Sequence, residues 1–217
     1  MNPSTRRWLA VLACSVVMTS GCATTMAPYD YTAFETSRPR SIVVIPPLNN
    51  SIEVNAPYVY LSTITRPLAE KGYYVFPVYM IDYFFKENGL PTPEDMNGIP
   101  LEKIGEHIGA DAVLYITIEE WGQKYQVIQS VTKVRATLKL VDVKTGALLW
   151  DSTSVAEASS GDGGGGLAGM LVNAVVTQVL NSTVSDPTPG LARQANFSAI
   201  HSQTRGLPDG PYRLSAE

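Results

Sequence analysis

The chain has 217 residues, of which 45% are hydrophobic and 17% are charged, and its formal net charge is −4. This hydrophobic share is enough for a packed core, which excludes a wholly disordered chain, and the length suits one ordinary domain. The sequence pI of about 5.2 provides no bulk positive charge, so we expect no nucleic-acid partner. The two cysteines are too few for a disulfide framework or a four-thiolate metal site.

The N-terminus has the layout of a secretory signal. Arg6 and Arg7 precede an uncharged apolar run from Trp8 to Met18, and small residues follow it. This run of eleven residues is about half of the roughly 20 that a membrane-spanning helix needs. Residues 1–21 are therefore predicted to be a signal peptide that is removed.

Cys22 is the predicted site of lipid attachment. The sequence Ser20-Gly21-Cys22 resembles the lipobox of bacterial lipoprotein precursors, in which the Cys thiol receives a diacylglycerol thioether, a peptidase cuts before it and the new amino group is acylated. Cys14 is a poorer candidate because only six apolar residues separate it from Arg7. The alternative is a plain cleaved signal with an incidental cysteine.

The residue after Cys22 indicates which of the two bacterial membranes holds the lipoprotein. In the lipoprotein family an Asp at that position favours retention in the inner membrane, and this chain has Ala23. The resemblance therefore implies the periplasmic face of the outer membrane. Several acyl chains on one residue give stable anchoring, so the membrane is the first expected partner.

The remaining chain is predicted to contain one folded domain with flanking segments. Residues 22–40 lack periodicity and are predicted to be a tether, although Tyr29, Tyr31 and Phe34 are unusual in a linker and are candidates to dock on the domain. Residues 41–186 form the predicted α/β domain. Residues 187–217 contain several prolines and are predicted to be irregular and to lie over the surface.

The first half of the domain alternates strands and helices. Strands are predicted at 41–47, 73–78 and 112–118, helices at 57–71, 79–88 and 100–108, and a proline-rich loop at 90–98. Pro67 lies inside the first helix and should kink or split it.

The second half has the pattern of an antiparallel meander. Residues 125–143 and 147–158 alternate apolar and polar side chains, with a turn at 144–146 between them, and 167–181 is predicted to be an amphipathic helix. The predicted order is β-α-β-α-α-β-β-β-α. It indicates an α/β domain with a mixed sheet in two or three layers.

No residue pattern points to catalysis, a metal or a cofactor. His107 and His201 lie in different segments without further ligands at suitable spacing, and no hydrolase motif occurs. The stretch Gly161–Gly166 formally matches G-x-G-x-x-G, but it follows antiparallel strands late in the chain, so a mobile connector is the preferred interpretation. We expect no enzymatic activity and no cofactor.

Aromatic residues are concentrated between positions 58 and 85. Tyrosine is amphipathic and common at protein interfaces, so this cluster is a candidate contact surface, with plain core packing as the alternative. The candidate interface residues are Tyr58, Tyr60, Tyr79, Tyr83, Phe84 and Phe85.

Five blocks give the chain a family resemblance, which covers nearly all of 22–213. They are 41–47 (SIVVIPP), 67–78 (PLAEKGYYVFPV), 109–114 (GADAVL), 142–150 (DVKTGALLW) and 206–212 (GLPDGPY). With these blocks the chain resembles a family of bacterial outer-membrane lipoproteins of unknown function. The resemblance implies a fold similar to the N-terminal domain of TolB and to the periplasmic domains of CsgG-like and LpoB-like proteins.

The same resemblance implies a role in protein interaction. In such families this domain binds other envelope proteins and is not catalytic, and members are often encoded beside a CsgG-like lipoprotein. The expected function is a non-catalytic interaction component of an envelope assembly, such as a secretion or transport complex. The expected partners are a CsgG-like lipoprotein, another envelope protein, or a second copy in a homodimer.

An alternative function is a periplasmic module that binds a small molecule or glycan. It predicts a deep pocket at the ends of the parallel strands, near residues 49–55 and Trp121, with the Gly161–Gly166 loop as a lid.

Overall fold

A computed structural model describes residues 28–125, 130–159 and 186–213 of the chain. The predicted signal peptide, Cys22, the Gly161–Gly166 stretch and the predicted helix 167–181 lie outside these residues. The described helices are α1 (Thr32–Ser37), α2 (Ala56–Glu70), α3 (Val78–Glu87), α4 (Pro93–Asn97), α5 (Leu101–His107) and α6 (Thr188–Ile200). The described strands are β1 (Ser41–Val44), β2 (Leu48–Asn49), β3 (Tyr74–Val75), β4 (Ala112–Tyr125), β5 (Ser130–Asp142) and β6 (Leu148–Ser159).

These strands form one mixed sheet in the order β3-β1-β4-β5-β6. β1 pairs in parallel with β3 and β4, whereas β4, β5 and β6 form an antiparallel meander. Pro46 and Pro47 follow β1 and have no N–H to donate to the ladder, so the chain leaves the sheet there. It returns as β2, which pairs with the same β4 edge at Thr117 and Ile118. The predicted α/β class and mixed sheet are confirmed.

The core has two parts, one on each face of the sheet. Ile42 and Val44 point to a cluster covered by α1, α2 and α6. Val43 and Ile45 point to a smaller cluster covered by α3, α4 and α5. Because successive strand residues alternate between faces, the continuous apolar run of β1 is explained by burial on both sides. The domain thus has three layers at β1 and β4.

The outer face of the meander is different. Along β5, Lys133, Arg135, Thr137 and Lys139 are exposed or half-buried, while the residues between them are buried. Lys133 Nζ pairs with the Glu157 carboxylate at 2.6 Å across to β6. The alternating pattern predicted for these strands therefore reflects a sheet with one covered face and one polar face among the described residues.

Helix α2 differs from the prediction for Pro67. It runs without a break from Ala56 to Glu70, so Pro67 does not split it. The hydroxyl of Thr63, four residues before Pro67, bonds to the Tyr60 carbonyl at 2.8 Å. Pro67 itself is buried with Ile64 and Leu68 against the first core cluster, and this packing favours a continuous helix.

The prediction of a tether over residues 22–40 is wrong for its C-terminal part, which belongs to the folded domain. Residues 32–37 form α1, and Phe34 is buried in the first core cluster. Tyr29 and Tyr31 pack against the same cluster. Their aromatic surface provides burial that a solvated linker lacks, so the chain is part of the fold from residue 28 onward.

The prediction of an irregular C-terminal segment, 187–217, is wrong for the first part of that segment. Residues 188–200 form α6, which buries Leu191, Ala195 and Ile200 against β6 and α2. The prolines misled the prediction because Pro189 occupies the first turn of the helix, where a missing N–H costs nothing. The loop 90–98 likewise contains the short helix α4, which begins at a Thr92–Asp95 capping box.

Candidate interaction surface

The six predicted interface residues do not share one environment. Tyr58, Tyr79, Tyr83 and Phe84 are exposed. Tyr60 is fully buried in the first core cluster, on the inner side of α2. Phe85 is 3% exposed and packs in the second cluster beneath α3. Tyr60 and Phe85 are therefore core residues, and the structure removes them from the predicted surface.

Helix α3 carries three of the four remaining aromatic residues, Tyr79, Tyr83 and Phe84, and their exposure is unusual. Ile81 and Phe85 are its buried residues. Its outer half carries two further apolar pairs at helical i, i+4 spacing: Tyr79 with Tyr83, and Met80 with Phe84. A surface helix normally has polar residues opposite its buried stripe. Here Tyr79 is 73%, Met80 56% and Tyr83 50% exposed, so apolar side chains share the outer side of α3 with the charged residues Asp82, Lys86 and Glu87.

Side-chain contacts join the exposed rings of α3 to one another and, through Lys86, to the start of α2. The Tyr79 and Tyr83 rings stack with centroids 6.4 Å apart. The Lys86 Nζ lies 5.6 Å from the centre of the Tyr58 ring and bonds to Asp82 at 2.7 Å. These contacts hold Tyr58 beside α3. We call Tyr58, Tyr79, Met80, Tyr83 and Phe84 the aromatic face.

A groove adjoins the aromatic face at Phe84. It has a volume of about 460 Å³ and runs between the end of α3, the loop that follows and α5. Its apolar wall comes from Phe84, Leu90, Ile99 and Ile108, and Lys103 and His107 lie at its rim. An apolar side chain of a partner would find contacts here that extend the aromatic face.

Met80 was missed in the sequence, although the signal was present. Met80 and Phe84 repeat the four-residue spacing of Tyr79 and Tyr83, one position further along the helix. Methionine is flexible and polarizable, which suits adaptable protein contacts.

A second arrangement joins the N-terminal segment to the far edge of the sheet. The Tyr29 hydroxyl donates to the Asp151 carboxylate at 2.8 Å and accepts from the Asp151 N–H at 3.0 Å. The Arg205 guanidinium also bonds to this carboxylate and lies 4.6 Å above the Tyr29 ring. We call Tyr29, Asp151 and Arg205 the clasp.

The clasp has a defined electrostatic state. Partial burial raises the pKa of Asp151, but the hydrogen bonds from Arg205 and Tyr29 outweigh burial and the pKa is lowered. Burial and the hydrogen bond to Asp151 raise the pKa of the Tyr29 hydroxyl. At neutral pH Asp151 is therefore a carboxylate and Tyr29 a neutral donor. Sequence patterns could not reveal the clasp because its members are far apart in the chain.

The family block 142–150 has a structural role. The Asp142 carboxylate accepts from the Thr145 N–H at 2.7 Å and from the Lys144 N–H at 3.0 Å, which closes the turn before β6. Gly146 completes the turn with φ +71°, a conformation that favours glycine. Trp150 ends the block as a buried core residue whose ring N–H donates to the Arg205 carbonyl at 2.9 Å.

Two other blocks contact each other. Gly210 N–H donates to the Lys71 carbonyl at 2.7 Å, and Tyr73 Oη donates to the Pro208 carbonyl at 2.6 Å. A Cβ on Gly210 would lie 2.4 Å from the Gly72 carbonyl oxygen, which explains the glycine. The GLPDGPY ending therefore fastens the C-terminal segment to the turn between α2 and β3.

Two other clefts lie between described residues. Near Trp121 the described residues form a cleft of about 280 Å³, and a cleft of about 590 Å³ lies beside Arg38, Arg40 and Lys144. Within the described ranges, no group of three or more His, Cys, Asp or Glu side chains is placed to hold a metal ion. No helix in the described part of the chain is long and apolar enough to cross a membrane.

The sequence places the chain among known lipoproteins. The family described as "Putative lipoprotein GNA1162-like" matches residues 29–212. The chain belongs to the GNA1162-like lipoprotein family. The match begins at Tyr29 of the clasp and ends at the GLPDGPY block, so it covers the domain that the structure describes. The predicted family resemblance is confirmed.

Two GNA1162-like relatives come from Neisseria meningitidis. A protein named "Putative lipoprotein NMB1124/NMB1162", from the serogroup B strain ATCC BAA-335 / MC58, is 44% identical over 199 residues, which are 91% of this chain and 92% of that protein. The crystal structure of lipoprotein GNA1162 is also 44% identical, has a TM-score of 0.55 and covers 66% of this chain and 100% of that one. The LpoB C-terminal domain from Escherichia coli matches at 19% identity with a TM-score of 0.39, which carries no argument about function.

Proposed function

We propose that this GNA1162-like protein is a lipid-anchored, non-catalytic component of an envelope assembly, and that the aromatic face binds another protein. Family membership supports the lipoprotein part of the proposal. The resemblance noted in the sequence suggests a CsgG-like lipoprotein as the partner. The lipid anchor is proposed at Cys22, on the periplasmic face of the outer membrane.

One observation carries the proposal for a protein contact. Helix α3 buries Ile81 and Phe85 and still exposes Tyr79, Met80 and Tyr83. Single exposed apolar residues are common, but several large ones side by side on the solvent side of one short helix are typical of an interaction surface. A protein partner that covers the outer half of α3 would bury these side chains.

The chemistry of the face suits a protein better than a small ligand. Tyrosine and methionine are enriched at protein interfaces, and the neighbouring groove accepts an apolar anchor. The cleft beside Trp121, where the alternative function expects a deep pocket, measures about 280 Å³ between described residues. This is below the usual 300–1,000 Å³ of ligand pockets, so the cleft at the position that the alternative function predicts does not support a small-molecule or glycan site there.

The experiment is photo-crosslinking in intact cells. A photoreactive amino acid replaces Tyr83 in the aromatic face, or Tyr212 as a matched control. Tyr212 is an equally exposed tyrosine, at 59% against 50% for Tyr83, and lies in the C-terminal segment. We expect an adduct with one defined envelope protein from position 83 only. Adducts of doubled mass would identify a second copy as the partner, and a protein recovered alone from both positions would contradict the proposal.

A further inference from the structure

We propose that the clasp holds one edge of the domain, formed by the start of β6 and the loop 201–207, close to the lipid bilayer, so that this edge is a membrane-facing surface. The inference rests on the lipid anchor proposed for Cys22. It goes beyond the anchor because it states how the domain is oriented on the membrane: which surface faces the lipid and which surface is open to a protein partner.

The N-terminal segment is fixed at several points. Tyr29 makes two hydrogen bonds to Asp151, and its ring lies under Arg205. The Tyr31 hydroxyl donates to the Gly206 carbonyl at 2.7 Å, and its ring packs edge-on against Tyr29 with centroids 4.7 Å apart. The chain is therefore attached to the folded domain at Tyr29 and not at Ser41, where β1 begins.

This attachment shortens the reach of the lipid. From Cys22 to Tyr29 the chain advances seven residues, which span at most about 25 Å when fully extended. A free segment up to Ser41 would advance 19 residues and reach about 65 Å. Docking of Tyr29 therefore shortens the maximum distance between the lipid and the domain by more than half.

The short reach limits how the domain can turn. A compact domain of about 160 residues has a radius of gyration near 15 Å and is roughly 40 Å across. Turning the clasp away from the bilayer would carry Tyr29 to about that height, beyond the 25 Å that the linking residues allow. Orientations in which Tyr29 lies more than about 25 Å from the bilayer are therefore excluded, so the edge that contains the clasp cannot face away from the lipid.

The aromatic face lies away from this edge. The clasp is on β6, whereas α3 packs against β1, three strands further along the sheet. With about 4.8 Å between neighbouring strands, the two are about 14 Å apart along the sheet. The clasp and α3 also lie on different faces of the sheet, because Tyr29 packs with the first core cluster and α3 covers the second, whereas Tyr58 belongs to α2, which covers the first. A domain held by the clasp would leave the aromatic face open to a periplasmic partner.

The test measures the depth of two labelled positions in the lipidated full-length protein, reconstituted in phospholipid vesicles. Gln203→Cys places a fluorescent thiol label on the loop beside the clasp, and Glu87→Cys places it at the end of α3; both positions are exposed. A short-range nitroxide quencher is attached to the lipid headgroups. We expect quenching at position 203 to be several-fold stronger than at position 87.

A second variant separates the clasp from the anchor. Tyr29→Ala combined with Tyr31→Ala frees the segment up to α1, where Phe34 in the first core cluster becomes the next attachment. The twelve residues from Cys22 to Phe34 then reach at most about 43 Å, and quenching at position 203 should fall towards the value at position 87. Co-sedimentation with the vesicles reports the lipid anchor independently. Equal quenching at both positions in a co-sedimenting protein would overturn the proposed orientation and leave the anchor standing. Loss of co-sedimentation in the parent protein would overturn both.

Discussion

Tyr29 and Asp151 are 122 residues apart in the chain, yet the Tyr29 hydroxyl bonds to both the carboxylate and the N–H of Asp151. This pair joins the segment that follows the predicted lipid site to the edge strand β6. Arg205 completes the clasp from the loop after α6. The segment between the lipid and the sheet is thereby part of the folded domain.

Removal of the Tyr29 hydroxyl should loosen the N-terminal segment. Tyr29→Phe keeps the ring under Arg205 but leaves the Asp151 N–H and carboxylate without this partner. A hydrogen bond to a charged group contributes about 1.5–3 kcal/mol, and partial exposure of the site places the expected loss near the lower value. Hydrogen exchange of residues 29–40 measures the change. Tyr212→Phe is the control, and unchanged exchange in Tyr29→Phe would contradict the role of the clasp.

The clasp should also weaken in acid. The pKa of Asp151 is lowered in the folded state, because hydrogen bonds from Arg205 and Tyr29 outweigh the opposite effect of burial, with a further contribution from Lys139. The stabilisation is therefore fully present above the unfolded-state pKa of about 4 and is lost as the pH falls through the lower folded-state value. Proteolysis of the segment should accelerate below pH 4 in the parent protein. Asp151→Asn should reduce this pH dependence, and Asp142, which accepts from the Ser37 hydroxyl of the same segment and also has a lowered pKa, accounts for the rest.

Substitution of Gly210 should destabilise the domain for steric reasons alone. Gly210→Ala would bring a Cβ to 2.4 Å from the Gly72 carbonyl oxygen, so the backbone must shift. We expect a loss of about 1–3 kcal/mol in the free energy of unfolding, measured by urea denaturation. Gly98→Ala is the matched control, because its nearest contact is 3.4 Å and its φ of −85° suits any residue. Equal stability of the two variants would contradict the role of the C-terminal block.

The lipid anchor predicts a chemical modification at one cysteine. Two proteins are compared. The parent keeps its own residues 1–21, whereas Cys22→Ser carries a general secretory signal in their place, so that its cleavage and export do not need Cys22. The parent with its own signal should incorporate an alkyne fatty acid and sediment with the outer membrane, whereas Cys22→Ser behind the general signal should do neither. Cys14→Ser in the native signal is the control and should keep the label. Labelling that survives Cys22→Ser would refute the anchor.

The core elements of the fold were predictable because their signals are local. The apolar run of β1, the spacing of Leu61, Ile64 and Leu68 in α2, and the alternation along β5 each reflect burial of a neighbouring face. The prediction missed α1 and α6. Their stability comes from packing of Phe34 and Leu191 on distant strands, which local composition does not record.

The candidate surface was only partly predictable, for a related reason. Aromatic clustering located α3, but position within the helix decides exposure. Tyr83 and Phe85 are two residues apart, and one is half exposed while the other is buried. Which side of a helix is buried depends on its contacts with the sheet, and clustering of aromatic residues in the sequence does not reveal those contacts.

The aromatic face as a protein-binding surface is tested most directly by the size of the assembly extracted from membranes in mild detergent. Tyr79→Ser with Tyr83→Ser removes two exposed rings and leaves the buried Ile81 and Phe85 in place. Tyr212→Ser is the control. The proposal predicts that the parent and the control sediment as one large complex, while the double variant remains membrane-bound and sediments as a single chain. An unchanged complex in the double variant, or a single chain in all three, would contradict the account.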